Sequence, residues 1–202
     1  MTLPKKLYLA SSNPGKLKEF LAIANVAAAG LRLELLPSFA QLQPFPEEFP
    51  TFAENAVGKA IYAANIADAA VCADDSGLVV PSLGGEPGVR SARYAGKGAT
   101  GADNIAKLLE AMRAKTGKDR KAYFVCVLAV ARQGKAIALI TNRVDGEILE
   151  APRGSGGFGY DPIFYFPPLG KSFSEASPDE KNVHSHRGKA FRRLLDVLPG
   201  ML

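Results

Sequence analysis

The chain has 202 residues, of which 47% are hydrophobic and 22% are charged, and this balance is typical of a soluble globular protein with a substantial core. No apolar run is long enough for a membrane-spanning helix, so we expect no membrane partner. The net charge of +5 only weakly favours an anionic partner. The basic residues are dispersed, whereas a nucleic-acid binder typically concentrates them in a stripe with interleaved aromatics, so we also expect no nucleic-acid partner.

The N-terminal part of the chain alternates strands with helices. The predicted elements are a strand at 6–10, a helix at 15–29, a strand at 31–36, a helix at 51–69, a strand at 70–73 and its continuation at 78–80. Thr51 is placed to cap the second helix, with Glu54 as its capping-box partner.

The C-terminal part adds a hairpin. The predicted elements are a helix from Thr100 to about Lys115 with Asp103 in a capping position, strands at 122–132 and 135–142, a strand at 144–149 and a helix at 191–198. Gln133-Gly134 closes the hairpin. Strands that alternate with helices and then form a hairpin predict an α/β fold, with a mixed sheet flanked by helices, in one domain spanning residues 1–202. Spacing alone leaves open whether the fold has two lobes around a cleft.

Two cysteines, Cys72 and Cys126, each lie inside an apolar run. A disulfide framework needs more cysteines in a shorter chain, so we predict two buried, reduced thiols. Polar residues and glycine at 12–15 interrupt the first apolar stretch, which indicates that no secretory signal is present. We therefore expect a cytoplasmic protein.

The first candidate site lies between a strand and a helix. It comprises Ser11, Ser12, Asn13, Pro14, Gly15 and Lys16. Free backbone N–H groups and the positive dipole end of a helix suit a phosphate, and Lys16 adds a cation. The glycine spacing of a Walker P-loop is absent, and a plain helix cap with a solvated lysine explains these residues about equally well.

Adjacent carboxylates, Asp74 and Asp75, follow the predicted strand at 70–73. Two carboxylates at a strand terminus are costly unless a positive group is near, and Mg²⁺ is often held by one or two carboxylates together with substrate phosphates. We therefore favour a metal site over a solvated Asp-Gly turn. Glu47 lies in a proline-rich loop and is a candidate only as a second ligand of the same metal. Lys59, taken alone, is best interpreted as a surface lysine.

A glycine-rich segment at 154–161 carries two aromatic residues, Phe158 and Tyr160. Glycines allow close approach of a ligand, and base stacking on an aromatic ring contributes about 1–3 kcal/mol in single-strand binders. The alternative is a flexible loop with a buried aromatic, and the density of glycine beside two aromatics and an acid argues against it. Further along, His186 and Arg187 offer donors that suit the C6 oxygen of hypoxanthine or xanthine and disfavour the C6 amine of adenine.

Taken together, six ordered motifs resemble the inosine triphosphate pyrophosphatase family, also called the Ham1-like or non-standard purine NTP pyrophosphatase family, over nearly the full chain. The motifs are Ser11-x-Asn13-x-x-Lys16, Thr51-Phe52-x-Glu54-Asn55-Ala56-x-x-Lys59-Ala60, Asp74-Asp75-Ser76-Gly77-Leu78, Pro87-Gly88-Val89-x-Ser91-Ala92-Arg93-Tyr94, Gly156-Gly157-Phe158-Gly159-Tyr160-Asp161-Pro162 and Ser185-His186-Arg187-Gly188.

The resemblance implies an elongated fold with a twisted sheet, two lobes around a central cleft, and a homodimer. It implies hydrolysis of the α–β phosphoanhydride of dITP, ITP or XTP to the monophosphate and pyrophosphate, which clears these nucleotides from the pool. Residues 11–16 and Lys59 would contact the triphosphate, Glu47 and Asp75 would serve Mg²⁺, and Asp75 would accept a proton from the attacking water, flanked by Asp74 and Ser76. The implied base pocket comprises Phe158, Gly159, Tyr160, Asp161, Lys181, His186 and Arg187.

Three other interpretations remain. One is a pyrophosphatase for pyrimidine or modified nucleotides. Another is an RNA-binding module, suggested by the pI of about 9.2, although the carboxylates of Glu47, Asp74 and Asp75 would repel a phosphate backbone unless a metal intervenes. The third, a structural interaction protein, gives no reason for glycine-rich loops and acids at strand ends.

Overall fold

A computed structural model of the protein describes residues 5–27, 31–37, 39 and 42–198. In this part of the chain the strands are β1 Lys5–Ala10, β2 Leu31–Leu35, β3 Val71–Val79, β4 Lys121–Arg132, β5 Lys135–Ile148, β6 Phe164–Phe166 and β7 Lys171–Ser172. The α-helices are α1 Pro14–Ala27, α2 Phe52–Ala67, α3 Gly101–Ala111, α4 Pro178–His184 and α5 His186–Val197. No helix within the described ranges combines the length and the apolar character needed to cross a membrane.

The described strands form one sheet in the order β2-β1-β3-β4-β5-β6-β7. Strand β1 pairs in parallel with both β2 and β3, whereas β6 is antiparallel to β5 and to β7. A sheet that contains both kinds of pairing is mixed. The predicted α/β class with a mixed sheet is therefore confirmed.

The chain divides into two compact units. Unit 1 comprises Met1–Asp75, Cys126–Asn142 and Arg187–Leu202, and unit 2 comprises Ser76–Val125 and Arg143–His186. Strands β3, β4 and β5 each contribute residues to both units. The division therefore falls inside continuous strands, and for this reason no shift in composition marks it in the sequence. A single domain spanning residues 1–202 stays a prediction.

Unit 1 has its own apolar core between the sheet and two helices. Its buried members include Leu7, Leu9, Phe20, Cys72, Cys126, Leu128, Phe191 and Leu194. The rings of Phe20 on α1 and Phe191 on α5 meet edge to face with centroids 5.0 Å apart. Such a pair adds about 0.5–1.5 kcal/mol to the effect of burial. Both cysteines are fully buried and no disulfide joins them, as predicted.

Unit 2 has a second core that is rich in aromatic residues. Phe164 and Phe173 pack with their centroids 5.0 Å apart, and Phe124 lies 4.5 Å from Phe164 and 6.1 Å from Phe173. Tyr94 and Tyr160 are buried in the same core. The glycine-rich segment that carries Tyr160 is therefore fastened to the interior of unit 2.

Strand β3 differs from its prediction. The sequence suggested a strand at 70–73 with Asp74 and Asp75 at its terminus and a continuation at 78–80, but one strand runs from Val71 to Val79. Asp74 and Asp75 thus lie within the strand and are only 1% and 6% exposed. The prediction of a strand end at Asp74 was wrong because Lys16, Lys59 and Arg187 balance the charge of Asp74 inside the fold.

Other boundaries also moved. The predicted strands at 135–142 and 144–149 are one strand, β5; α3 ends at Ala111; and α5 begins at His186, five residues before its predicted start. Residues 28 and 29 of the first predicted helix lie outside the described residues. The short elements α4, β6 and β7 were not predicted. Local capping was predicted correctly: Thr51 caps α2 by accepting from the Glu54 N–H, and Thr100 and Asp103 form a capping box on α3.

The turn between β4 and β5 offers a stability prediction. Gln133 and Gly134 have φ angles of 51° and 72°, and glutamine is strained in this left-handed region. We expect Gln133→Asn to raise the free energy of unfolding by about 0.5 kcal/mol, because asparagine tolerates that conformation better. Urea denaturation measures the change. Gln133→Val, which is β-branched, should lower it, and the opposite order would contradict the assigned turn.

Candidate active site

The segment between β1 and α1 forms a capped helix start. The Asn13 Oδ1 accepts the Lys16 N–H at 3.1 Å, and the Ser11 Oγ accepts the Asn13 N–H at 3.4 Å. Ser12, Pro14 and Gly15 lie in this loop or in the first turn of α1. The plain helix cap is therefore present, and the same turn directs Lys16 to Asp74, where the ammonium lies 2.7 Å from a carboxylate oxygen.

We call six ionisable residues of unit 1 the charged cluster: Lys16, Glu47, Lys59, Asp74, Asp75 and Arg187. They come from the start of α1, the loop before α2, the middle of α2, the centre of β3 and the first turn of α5. Lys59 forms an ion pair with Glu47. Lys59 is also close enough to Asp74 and Asp75 for all three carboxylates to act on its charge. The fold thus brings together residues that are distant in sequence, since Lys16 and Arg187 are 171 positions apart (187 minus 16).

Asp74 is held as a carboxylate by its neighbours. Burial alone would raise its pKa, but the positive charges of Lys16, Arg187 and Lys59 outweigh burial and hold the pKa of Asp74 well below its usual range. In return, the carboxylates of Asp74 and Glu47 raise the pKa of Lys59, although burial acts in the opposite direction. The Asp74 carboxylate and the Lys59 ammonium are therefore charged in the buried cluster.

Asp75 has the opposite behaviour to its neighbour. Burial is the main reason that its pKa is raised to about 6, and the negative charge of Glu47 contributes next. Lys59 and Lys16 partly oppose the increase. Glu47 and Asp75 are thus two acidic groups that repel one another inside a cluster that excludes much of the solvent.

The donor set formed by Glu47 and Asp75 fits a small divalent cation in kind. Within the described residues, no group of three or more His, Cys, Asp or Glu side chains forms a ready-made metal site. Mg²⁺ is usually held by one or two carboxylates, and substrate phosphates and water complete its coordination. Two mutually repelling carboxylates therefore suit Mg²⁺ that binds together with a phosphate ligand. Glu48 is exposed.

Asn55 was missed by the sequence analysis although it lies in one of the quoted motifs. Its side chain is fully buried, and it accepts the Phe49 N–H and donates to the Phe49 carbonyl, both at 3.1 Å. These two hydrogen bonds fasten the loop that carries Glu47 to α2. The signal in the sequence was a polar residue on the face of the helix that is lined mainly by small, buried alanines.

Arg187 lies in the charged cluster of unit 1. Its guanidinium donates to Glu19 at 2.5 Å and is 5.9 Å from the centroid of the Phe20 ring. Burial would lower the pKa of Arg187, but Glu19 and Asp74 raise it. Glu19 was also missed by the sequence analysis. Its spacing from Lys16 was the available signal, because residues three apart lie on the same face of a helix.

In unit 2, Asp161 organises a second group of predicted residues. One of its oxygens accepts the Phe158 N–H at 2.7 Å and a hydrogen bond from the Lys181 ammonium at 2.5 Å. The same ammonium lies 4.6 Å from the centroid of the Phe158 ring, within cation–π range. We call Phe158, Asp161 and Lys181 the Phe158 cluster. Asp161 and Lys181 are 3% and 5% exposed, so their charges are balanced in the interior.

The two candidate aromatics occupy different environments. Tyr160 is buried, its hydroxyl donates to the Ser91 carbonyl at 2.9 Å, and burial raises the pKa of that hydroxyl well above its usual value. Phe158 is half-buried and Gly159 is exposed. His186 is buried and stacks on Phe124 with ring centroids 4.7 Å apart. Phe158 is therefore the aromatic with surface left for a ligand.

Comparison with known proteins assigns the chain to a family. The model of the Ham1 family matches residues 7–197, and the chain belongs to this family. Two relatives named dITP/XTP pyrophosphatase are similar: that of Geobacillus kaustophilus is 48% identical over 94% of this chain and 92% of its own length, and that of Thermus thermophilus is 50% identical over 95% and 91%. A solved HAM1 protein from Coxiella burnetii has a TM-score of 0.87 at 40% identity, covering 97% of this chain and 99% of its own. The Staphylococcus aureus Ham1 protein has a TM-score of 0.84 at 38% identity, with the same coverage.

The Lys181–Asp161 pair yields a stability prediction. We expect Lys181→Met to lower the free energy of unfolding by about 3–5 kcal/mol, because a buried carboxylate then loses the cation that balances it. Urea denaturation measures the loss. Lys171→Met is the matched control: its pair with Glu180 is exposed and should contribute at most about 1 kcal/mol. Adding Asp161→Asn to Lys181→Met should restore part of the stability, and no recovery would contradict the electrostatic explanation.

Proposed function

We propose that this protein hydrolyses non-standard purine nucleoside triphosphates, such as dITP, ITP and XTP, to the nucleoside monophosphate and pyrophosphate. The observation that carries the proposal is the charged cluster, in which buried carboxylates and lysines converge as hydrolysis of a phosphoanhydride requires. The family and the names of relatives that are 48% and 50% identical support the same activity.

The triphosphate is bound by unit 1. Residues 11–16 supply backbone N–H groups at the start of α1, and these groups favour anions. Lys16 and Lys59 supply two ammonium groups, which are paired with Asp74 and Glu47. A polyphosphate competes for both ammonium groups.

Glu47 and Asp75 are the residues that would hold Mg²⁺ together with the triphosphate. When bound, the cation would neutralise charge on the phosphate oxygens and polarise the α-phosphorus. The side chains of the cluster perform the remaining functions.

The reaction is in-line attack of water on the α-phosphorus. Asp75 orients the water and accepts its proton while the new oxygen–phosphorus bond forms. The bond from the α-phosphorus to the bridging oxygen breaks, and its electron pair leaves with pyrophosphate. Lys16 and Lys59 stabilise the charge that develops on the phosphate oxygens, which is the main contribution that proteins make to this class of reaction.

The base is recognised in unit 2 by the Phe158 cluster with His186. Phe158 stacks on the purine, and Asp161 fixes the position of Lys181 beside it. Lys181 and His186 supply donors to the C6 oxygen, a position where adenine carries an amine. One lost hydrogen bond in a dry site costs about 1–3 kcal/mol, so several donors are needed to exclude ATP.

We further propose that the enzyme is a cytoplasmic homodimer. The two buried thiols, Cys72 and Cys126, support a reducing compartment. Analytical ultracentrifugation of the purified chain tests the dimer, and a monomer at micromolar concentration would contradict it.

The activity is tested by measuring pyrophosphate release from dITP, ITP, XTP, GTP and ATP, with Mg²⁺ and with a chelator. We expect kcat/KM for the first three substrates to exceed that for ATP by about 10²-fold or more, because more than one donor contacts the C6 oxygen. Chelation should abolish turnover. Equal turnover of ATP, or pyrophosphate release only from pyrimidine nucleotides, would contradict the assignment.

Asp75→Asn tests the proton acceptor. We expect kcat to fall by at least about 10²–10⁴-fold, because general-base catalysis and a metal ligand are removed together. Asp145→Asn is the control, since Asp145 is an exposed partner of Arg143 and should leave turnover unchanged. Turnover of Asp75→Asn near that of the wild type would refute the role.

Phe158→Ala and Tyr160→Phe separate the two aromatics. Phe158→Ala should raise KM for ITP by about tenfold or more, since stacking contributes about 1–3 kcal/mol. Tyr160→Phe should leave KM unchanged and lower the free energy of unfolding by about 1 kcal/mol, because the Ser91 carbonyl loses its donor. Steady-state kinetics and urea denaturation measure the two effects, and the reverse pattern would assign stacking to Tyr160.

A further inference from the structure

The segment Arg153–Phe158, which we call the base loop, packs on the segment Ser172–Glu175, which we call the clamp. Both segments belong to unit 2. The Gly156 N–H donates to the Ser174 carbonyl at 3.0 Å, and the Ser174 hydroxyl donates back to the Gly156 carbonyl. The Ser172 hydroxyl donates to the Arg153 carbonyl at 2.8 Å. The clamp therefore holds the base loop at two places along its length.

Two glycines allow this close approach. A Cβ on Gly154, where φ is +79°, would lie 2.6 Å from the carbonyl carbon of Ser174. A Cβ on Gly156 would lie 2.9 Å from the Ser174 carbonyl oxygen. Because the atoms in the way are backbone atoms, they do not move aside as the end of a side chain would. Ser174 is thus the residue on which both glycines of the base loop rest.

Glu175 braces the clamp from its other end. Its carboxylate accepts the Ser172 N–H at 2.8 Å and lies 3.1 Å from the Arg153 guanidinium. Both groups lower the pKa of Glu175, and the hydrogen bond from the Ser172 N–H is the main cause. The brace is half-exposed, so it adds less than the buried contacts of Ser174.

Phe173 anchors the clamp in the core of unit 2. The side chain is 1% exposed and contacts the rings of Phe124, Phe164 and Phe166, with centroids 5.0 to 6.1 Å away. Phe124 also stacks on His186. The same aromatic core therefore fixes both the clamp and a proposed base-binding residue.

We propose that Ser174 is a positioning residue for base recognition: it sets the place of the base loop, and hence of the Phe158 ring, without contacting the nucleotide. This inference rests on the proposed function. Asp161 fixes the end of the base loop at Phe158, and Ser174 fixes its middle at Gly156. Because the base loop is held at both Gly156 and Phe158, the Phe158 ring is in place before the purine binds. This lowers the entropic cost of ordering the loop on binding.

The test is Ser174→Ala, which removes the hydroxyl and leaves the Ser174 backbone in place. We expect KM for ITP to rise by up to about tenfold while kcat stays at the wild-type value, because one hydrogen bond to the base loop is lost and the charged cluster is untouched. Hydrogen–deuterium exchange should show faster exchange in residues 153–158. An unchanged KM, or a fall in kcat as large as the rise in KM, would overturn the proposal.

Gly154→Ala is the second variant, and Gly170→Ala is its matched control. Both glycines have positive φ, but a Cβ on Gly170 meets nothing within 4 Å. We expect Gly154→Ala to raise KM more than Ser174→Ala does, and Gly170→Ala to leave KM unchanged. Equal effects of the two glycine variants would overturn the proposal, because backbone strain alone would then explain them.

The exchange measurement separates this inference from the proposed function. If the wild type releases no pyrophosphate from ITP but Ser174→Ala still accelerates exchange in the base loop, the activity is wrong and the positioning role is overturned with it, although the clamp contact stands. If the wild type is active and Ser174→Ala changes neither KM nor exchange, only the positioning role fails.

Discussion

The burial of two adjacent carboxylates within one strand depends on the basic side chains that surround them. Asp74 is almost completely buried, and without Lys16, Lys59 and Arg187 its charge would oppose folding rather than contribute to it. Removing one partner from a buried ion pair typically costs about 3–5 kcal/mol, a large fraction of the stability of an ordinary domain. The same requirement brings α1, α2 and α5 to one place on the sheet. The charged cluster is thus a condition of the fold of unit 1 as well as its candidate site.

The sequence predicted those features that depend on neighbours along the chain. The caps at Thr51 and Thr100 and the turn at Gln133-Gly134 are local, and all three are present. Strand β3 was divided wrongly because Lys16 and Arg187, which balance the charge of Asp74 within it, are distant in sequence. Strands β6 and β7 have three and two residues, too few to show a periodicity. Helix α4 was missed although Ser177 and Glu180 form a capping box, a signal that was present in the sequence.

The candidate site was predictable as a list of residues but not as an arrangement. The ordered motifs named Lys16, Lys59, Asp74 and Asp75, and the fold brings them together. Pattern alone did not separate Phe158 from Tyr160, because burial depends on the packing of unit 2. Supporting residues such as Glu19, Asn55 and Ser174 were missed since their partners are backbone groups or distant side chains. The chemistry-bearing residues are thus visible in the sequence, whereas the contacts of the residues that hold them are seen only in the folded chain.

The internal pairing of Lys16 and Lys59 has a consequence for ligand selection. Each ammonium is already matched by a carboxylate, so an incoming anion must displace Asp74 or Glu47 before it gains anything. A ligand with a single phosphate competes for one such contact, whereas a chain of phosphates competes for both at once and benefits from their linkage. The protein thereby carries a built-in threshold that favours polyanions over small anions. Cleavage divides the phosphate charges between the monophosphate and pyrophosphate. Asp74 and Glu47 can then pair again with Lys16 and Lys59, which favours release of both products.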